Sequence, residues 1–178
     1  MKALLIIDVQ NDYFPGGNCE LHEPEAALKA IKRLLGHFRE KGLPVYYIQH
    51  IAAKDAAFFA PDTEGVKIHE GIHPLETEKV FSKHYPNSFY ETGLLAELEK
   101  ASVSELVVCG MMTHMCVDTT VRVAKDFGYP VTLIENACAT KRLEWNGEEI
   151  PADIVQKVFM ASMNHKFAEI MTDEDFLQ

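Results

Sequence analysis

Leu4-Leu5-Ile6-Ile7-Asp8 is the stretch of this 178-residue sequence that decides the fold. Four consecutive apolar residues closed by a carboxylate are typical of a short strand that is buried on both faces of a parallel sheet. The segment that follows at residues 24–41 repeats apolar residues at spacings of three and four, which predicts an amphipathic helix. A second apolar run at Val45–Ile48 predicts a second strand.

The alternation of strand and helix continues along the chain. Four further short apolar runs predict strands at Val80–Phe81, Leu106–Cys109, Val131–Ile134 and Ala168–Met171. Three further helices are predicted: one with Thr92 as its N-cap, one from Thr113 to Gly128, and one over residues 151–167. This order implies a parallel sheet with helices on both faces, a three-layer α/β/α arrangement, in a single domain over residues 1–178.

Three features of this pattern concern the surface of the domain. The last predicted helix is expected to direct inward Ile154, Val155, Val158, Phe159 and Ser162. Residues 52–78 have no clear period and predict a long loop, and loops of that length are usually functional or partly disordered. Residues 143–147, which carry the lone Trp145, predict a second loop.

Composition excludes several classes of partner. Asp and Glu number 27 and Lys and Arg 17, which gives a formal net charge of −10. Binding to nucleic acid or to anionic membranes depends on cationic side chains, so neither is expected. No apolar run is long enough to span a bilayer, and the N-terminal run is too short for a signal peptide. We therefore expect a cytoplasmic protein with free thiols.

Three polar residues fall at the carboxyl ends of predicted strands, where ligands bind in α/β sheets. Asp8 closes the first strand, Lys83 the third, and Cys116 lies just inside the helix after the fourth. Each has a structural alternative, namely a turn carboxylate, a solvated lysine and a small buried hydrophobe. Together they predict a reactive thiol with a base and a cation, in which the ammonium would lower the pKa of the thiol and hold the thiolate.

Three motifs resemble those of the isochorismatase-like cysteine hydrolases, a superfamily that includes nicotinamidases and N-carbamoylsarcosine amidases. Leu5–Phe14 resembles the opening signature, Lys83–Phe89 the lysine motif and Val107–Val117 the nucleophile motif. The motifs follow in the family's order, and the resemblance extends from residue 4 to about residue 172.

The resemblance implies a Rossmann-like, six-stranded parallel sheet with strand order 3-2-1-4-5-6. It implies a catalytic triad of Asp8, Lys83 and Cys116. It also implies an oxyanion hole formed by the amides of Met112 and Cys116, after a cis peptide bond between Met111 and Met112. The expected reaction is hydrolysis of a small amide, ureide or carbamoyl compound through a thioester, without a cofactor.

The nicotinamidase branch carries metal ligands that this chain lacks. An Asp-x-His pattern follows the second strand in that branch, whereas this chain has His50 and Ala52 at those positions. His69 and His73 lie four residues apart in a loop rich in Gly and Pro, and we interpret them as bystanders. No bound metal is expected, and nicotinamide is not the expected substrate.

Two other functions stay open at this point. True isochorismatases cleave a vinyl ether without a nucleophilic cysteine, so Cys116 favours amide chemistry. A non-catalytic small-molecule binder or thiol-redox protein needs a reactive thiol but no proton shuttle, so Asp8 and Lys83 favour the hydrolase. Binding of a dinucleotide is disfavoured, because the turn from Asp8 to Gly17 has no G-x-G-x-x-G pattern.

Several side chains are candidates for binding a small-molecule substrate, with core packing as the alternative for each: Phe14, Phe58, Phe59 and Phe89. His114, two residues before Cys116, is either a substrate contact or a structural residue of the turn. Because relatives commonly form dimers or tetramers, a homodimer or homotetramer is expected, and Trp145 is a candidate contact. The remaining cysteines are interpreted as structural: Cys19, Cys109 and Cys138.

Overall fold

The computed structural model describes all 178 residues and contains eight strands. In chain order these are β1 (Lys2–Ile7), β2 (Val45–His50), β3 (Lys79–Lys83), β4 (Glu105–Met111), β5 (Val131–Ala139), β6 (Leu143–Trp145), β7 (Glu148–Ile150) and β8 (Glu169–Met171). Six of them form one sheet in the order β3-β2-β1-β4-β5-β8, and every pair in it is parallel. The predicted order is confirmed, since β8 is the sixth strand that the sequence predicts at Ala168–Met171.

Helices cover both faces of this sheet. They are α1 (Pro24–Glu40), α2 (Leu94–Lys100), α3 (Asp118–Asp126), α4 (Ala152–Met163) and α5 (Asp173–Phe176). One hydrophobic core lies between the sheet and α1, and a second lies between the sheet and the helices α2, α3 and α4. The three-layer α/β/α fold is therefore confirmed, and no helix is both long and apolar enough to cross a membrane.

The central position of β1 brings the ends of four strands together. Ile7 is level with Ile48 of β2 on one side and with Gly110 of β4 on the other, and His50 is level with Lys83 of β3. Gly110 permits the close approach of β4, because a Cβ atom there would lie 2.1 Å from the Ile7 carbonyl oxygen. The residues that end β1, β2, β3 and β4 therefore share one edge of the sheet.

Helix α4 differs from the prediction in length and in the face that it buries. It ends at Met163 instead of residue 167, and Ile154 and Val158, predicted to point inward, are 43% and 58% exposed. Val155 is buried as predicted, Phe159 is half-buried and Ser162 is exposed; the other buried residues are Ala152, Met160 and Met163. Gln156 explains this rotation, because it accepts a hydrogen bond from Thr113 at 2.7 Å and donates one to the Glu135 carbonyl at 3.1 Å.

The prediction of a loop at residues 143–147 is wrong. These residues form the first strand and the turn of an antiparallel hairpin, β6–β7, in which Trp145 pairs with Glu148. Asn146 and Gly147 have φ angles of +52° and +79°, the left-handed pair that a two-residue hairpin turn requires. The Asn-Gly sequence between two short runs was the available signal. Trp145 is 72% exposed on this hairpin.

Helix α2 begins one residue later than an N-cap at Thr92 predicts. Its first residue is Leu94, and Gly93 precedes it. Thr92 still stabilises this end, because its hydroxyl accepts a hydrogen bond from the Leu94 N–H at 3.3 Å. The same hydroxyl donates to the Ser88 carbonyl at 2.7 Å, which joins the start of α2 to the segment that follows β3.

Candidate active site

Asp8, Lys83 and Cys116 meet at the carboxyl edge of the sheet. Asp8 follows β1 directly, Lys83 is the last residue of β3, and Cys116 lies in a π-helical turn, Thr113–Val117, between β4 and α3. All three side chains are buried, with Asp8, Lys83 and Cys116 exposed by 0%, 1% and 6%. The positions of the three residues in the sequence and the family motifs predict this meeting, and the structure places the three residues together.

The ammonium of Lys83 lies at the centre of the cluster. Its Nζ atom is 2.7 Å from Asp8 Oδ2, 3.2 Å from Cys116 Sγ and 2.9 Å from His50 Nδ1. An ammonium has three N–H donors and no acceptor. The ammonium is therefore surrounded by three groups of the chain itself.

Burial dominates the electrostatics of the carboxylate and the thiol. Burial raises the pKa of Asp8 above its ordinary value, and the adjacent Lys83 opposes that shift only in part. Burial and the nearby Asp8 carboxylate also raise the pKa of Cys116, against a smaller opposing effect of Lys83. Lys83 therefore offsets only part of this rise, and the lowered thiol pKa that the sequence predicts is not what the buried site favours. A raised pKa favours the protonated thiol and makes the ionised Asp8 carboxylate a stronger base.

Backbone conformation and the hydrogen bonds of Gln10 fix the positions of Asp8 and His50. Asp8 has φ +50°, a left-handed conformation that Asp and Asn adopt more readily than most residues. The buried amide of Gln10 accepts a hydrogen bond from the His50 N–H at 2.8 Å and donates to the His50 carbonyl at 2.9 Å. Its amide also donates to the Val66 carbonyl at 2.7 Å. Gln10 thus joins the end of β2 to the long loop.

Aromatic rings from two loops lie next to the cluster. The Phe59 ring centroid is 4.6 Å from that of Tyr13 and 6.0 Å from that of His50, and Phe58 lies 5.1 Å from Phe59. Burial raises the pKa of Tyr13, and the charge of the Asp8 carboxylate adds to the effect. Of the predicted substrate contacts, Phe59 therefore lies beside His50, and Phe58 packs on Phe59 and Tyr13.

Asp12 fixes these rings in place. Its buried carboxylate accepts hydrogen bonds from the Phe59 N–H at 2.6 Å and from the Asn18 N–H at 3.0 Å. The Asp12 N–H donates to the Gly65 carbonyl at 3.0 Å, and a Cβ atom on Gly65 would lie 2.2 Å from the Asp12 carboxyl group. The predicted loop over residues 52–78 is thus bound tightly to the segment after β1.

The other predicted substrate contacts have structural partners. The Phe14 ring packs on His69, with 4.2 Å between the centroids. Phe89 is buried in the same core as Cys116, and its ring lies 5.3 Å from that of Phe127. His114 Nδ1 is 2.5 Å from the Thr140 hydroxyl, and burial lowers the pKa of this histidine. Each of these contacts gives the residue a role in holding the surrounding structure.

The turn that carries Cys116 begins at a cis peptide bond between Met111 and Met112, as the family resemblance implies. Met112 is buried, and its N–H donates no hydrogen bond within the chain, whereas its carbonyl accepts from Met115 and Val117. A free backbone N–H close to a nucleophile is the kind of donor that an oxyanion requires.

One group of side chains has the composition of a metal site. Ligand atoms of Asp8, His50 and Cys116 all lie within 4.8 Å of one another. The Lys83 ammonium contacts all three, however, so the place of a cation among them is taken by a side chain of the protein. His69 accepts a hydrogen bond from the Gly71 N–H at 3.0 Å at the start of a short 3-10 turn, Glu70–Ile72, and His73 follows that turn. Neither histidine belongs to this group.

His50 and Tyr13 are the two site residues that the sequence reasoning missed. In the sequence, His50 stands out only as a position where a metal ligand is lacking. In the structure it ends a strand at the same edge as Lys83. Five surface cavities of 280–400 Å³ lie elsewhere on the molecule and none is lined by Asp8, Lys83 or Cys116.

The fold and the site define a class of protein: a three-layer α/β/α enzyme with a thiol, an ammonium and a carboxylate at the carboxyl edge of its sheet. The sequence model described as "Isochorismatase domain" matches residues 2–175. The chain therefore belongs to the isochorismatase family and is a hydrolase of that family.

Comparison with individual proteins agrees with this assignment. The chain is 50% identical over 177 residues to an uncharacterized isochorismatase family protein, YddQ of Bacillus subtilis, covering 99% of this chain and 98% of that protein. The fold is similar to the crystal structure of an isochorismatase-type hydrolase from Oleispira antarctica, with a TM-score of 0.96 and 40% sequence identity. The superposition covers 99% of this chain and 95% of the Oleispira chain. A streptothricin hydrolase from Streptomyces noursei is 38% identical over 142 residues, 79% of this chain and 50% of that enzyme.

Proposed function

We propose that this protein hydrolyses a small amide, ureide or carbamoyl compound through a thioester on Cys116. The observation that carries the proposal is the position of Lys83, whose Nζ contacts both the Asp8 carboxylate and the Cys116 sulfur inside a buried site. A thiol, a base and a cation in contact are the parts that nucleophilic catalysis by cysteine requires. The similarity to a streptothricin hydrolase supports hydrolysis as the type of reaction.

The first half of the reaction forms the thioester. Asp8 takes the proton of the Cys116 thiol as the sulfur attacks the carbonyl carbon, and Lys83 stabilises the negative charge on sulfur during the transfer. The carbonyl oxygen becomes an oxyanion that accepts hydrogen bonds from the Met112 and Cys116 amides. The bond from carbon to nitrogen then breaks, and Asp8 gives its proton to the leaving nitrogen.

The second half releases the acid. Asp8, ionised again, takes a proton from a water molecule that attacks the thioester carbon. The bond from carbon to sulfur breaks, and the proton on Asp8 returns to Cys116. Burial suits Asp8 to both roles, because a carboxyl group with a raised pKa is a stronger base when ionised and remains protonated long enough to act as the acid.

The test is a panel of small amides, ureides and carbamates assayed for release of ammonia or amine. We expect Cys116→Ala to abolish turnover and Cys19→Ala, at a half-buried thiol outside the site, to leave it unchanged. Mass spectrometry of the wild-type protein after mixing with substrate should show an acyl group on Cys116. Turnover by Cys116→Ala at the wild-type rate would disprove the mechanism.

The same assays separate the two alternatives. Cleavage of isochorismate with no activity on any amide would favour the vinyl-ether reaction. Oxidation of Cys116 with no acyl adduct and no turnover would favour a thiol-redox or small-molecule binding protein. The assembly as a homodimer or homotetramer, the expected absence of a cofactor and the cytoplasmic location stay predictions.

A further inference from the structure

His50 has one ring nitrogen bound to the catalytic cluster and the other free. Nδ1 lies 2.9 Å from Lys83 Nζ, and no side chain or backbone atom of the protein hydrogen-bonds to Nε2. The residue is half-buried at the end of β2, beside the Phe59 ring. Its backbone is held on both sides by Gln10. The ring is therefore fixed in position with one edge available to a ligand.

The contact with Lys83 determines which nitrogen carries the proton. An ammonium can only donate, so Nδ1 must accept, and the proton of a neutral imidazole must then be on Nε2. Burial and the charge of Lys83 lower the pKa of His50 to about 4, so the ring is neutral near pH 7. His50 thus presents a fixed N–H donor.

Lys83 does not compete with this donor. Its Nζ atom contacts Asp8, His50 and Cys116, three groups of the protein itself, and its charge is balanced by the Asp8 carboxylate. These three contacts occupy Lys83 within the cluster, whereas Nε2 of His50 has no hydrogen bond within the protein. A ring nitrogen of His50 lies within 4.8 Å of the sulfur that would attack the carbonyl carbon.

We propose that His50 binds the substrate directly, by donating its Nε2–H to an uncharged oxygen on the acyl group beside the reacting carbonyl. The preferred substrates are then amides whose acyl chain carries a hydroxyl or carbonyl oxygen near the carbon under attack. This inference rests on the proposed function only in taking Cys116 as the nucleophile.

The test uses small aldehydes, which add reversibly to a thiol. The sulfur bonds to the aldehyde carbon, the C=O double bond becomes a single bond, and the thiol proton passes to the oxygen. Propanal, 2-hydroxypropanal and 3-hydroxypropanal have the same carbon chain and differ only in the presence and position of a hydroxyl group. Their dissociation constants follow from the protection that each gives Cys116 against alkylation by iodoacetamide, which requires no hydrolysis of any amide.

The variant His50→Asn isolates the Nε2 donor. The side-chain oxygen of Asn takes the place of Nδ1 and still accepts from Lys83, but nothing replaces Nε2. We expect wild type to bind at least one hydroxyaldehyde more tightly, relative to propanal, than His50→Asn does, by about threefold to tenfold for one hydrogen bond. Comparing this ratio between proteins removes the intrinsic reactivity of each aldehyde.

His84→Asn is the matched control. His84 is the exposed neighbour of Lys83, and its Nδ1 lies 2.8 Å from the Ile51 carbonyl, so its substitution should leave the ratio unchanged. An equal ratio in wild type and His50→Asn, or no protection by any aldehyde, would overturn the inference. A ratio that depends on His50 without hydrolysis of any amide would instead disprove the proposed function and leave standing only the part of this inference that concerns binding by His50.

Discussion

At the scale of single residues, the cluster combines a protonated thiol with a buried ion pair. Lys83 and Asp8 are in contact at 2.7 Å with both side chains fully buried, yet neither Asp8 oxygen has a well-aligned hydrogen bond from a donor. The carboxylate is therefore under-solvated, which is costly for stability and useful in a base. The raised pKa of the neighbouring thiol follows from the same buried charge.

Asp8→Asn should separate the reactivity of Cys116 from hydrolysis. Asn tolerates the left-handed backbone at this position and removes the negative charge that raises the pKa of the thiol. That pKa should fall, so alkylation of Cys116 by iodoacetamide at pH 7 should be faster than in wild type, about tenfold for each unit of the change. Hydrolysis should be lost with the base.

Slower alkylation of Asp8→Asn would contradict this explanation. It would mean that Asp8 already holds the proton of Cys116 in the free protein. The alkylation rate of Cys116 in Cys19→Ala, measured in parallel, is the reference for a site with no substitution.

At the scale of elements, the chemical groups and the aromatic rings belong to different parts of the chain. Asp8, His50 and Lys83 end three adjacent strands of the sheet. Phe58 and Phe59 belong to the long loop after β2. Asp12 is the carboxylate through which the loop is tied to the segment after β1.

Asp12→Asn should loosen the loop while leaving the thiol in place. An amide has one acceptor oxygen, so one of the two backbone N–H groups at Asp12 would face an NH₂ group. We expect a loss of about 1–3 kcal/mol in the free energy of unfolding, the cost of leaving a buried donor unpaired. KM should rise, and the alkylation rate of Cys116 should change by a smaller factor than KM does.

Urea unfolding and steady-state kinetics check this prediction. Asp55→Asn, at an exposed position of the same loop where no donor hydrogen-bonds to the carboxylate, is the control and should change neither quantity. Wild-type stability in Asp12→Asn would show that the loop is held mainly by its other contacts.

The sheet and the cluster could be predicted because both follow from short apolar runs that end in polar residues. The face of α4 could not, since it depends on Gln156 binding Thr113, a contact between residues far apart in the sequence. The role of His50 was missed for a similar reason: only the register of β2 against β3 brings it level with Lys83. The pKa of Cys116 depends on burial, which a motif does not encode.

At the scale of the whole molecule, a polar contact ties the end of the chain to α1 and β5. The Asp173 carboxylate accepts hydrogen bonds from Arg33 of α1 and from Asn136 of β5. Burial alone would raise the pKa of Asp173, but these hydrogen bonds outweigh it and lower the pKa to about 2. The C-terminal helix α5 begins at this residue.

Asp173→Asn should lower stability in a manner that depends on pH. Because the pKa in the folded state lies below the ordinary 3.8, the charged carboxylate stabilises the fold above about pH 4, and the effect disappears as the pH falls towards 2. Urea unfolding should show Asp173→Asn less stable than wild type at pH 7, with a smaller difference at pH 3.

Asp126→Asn is the control, at an exposed carboxylate of α3 without a hydrogen bond, and should match wild type at both pH values. A difference for Asp173→Asn that is as large at pH 3 as at pH 7 would show that its charge is not the cause.

The hydrogen bonds accepted by Asp12 have a consequence for how such a protein acquires new substrates. Proton transfer depends on Asp8 and Lys83, which lie at the ends of buried strands. The aromatic rings next to them belong instead to a loop that is held by a hydrogen bond to the Asp12 carboxylate. Replacement of that loop, with its anchoring points kept, would change what enters the site without altering the reaction. Divergence of specificity can then proceed by loop exchange, and the same exchange offers an engineer a route to redirect the enzyme.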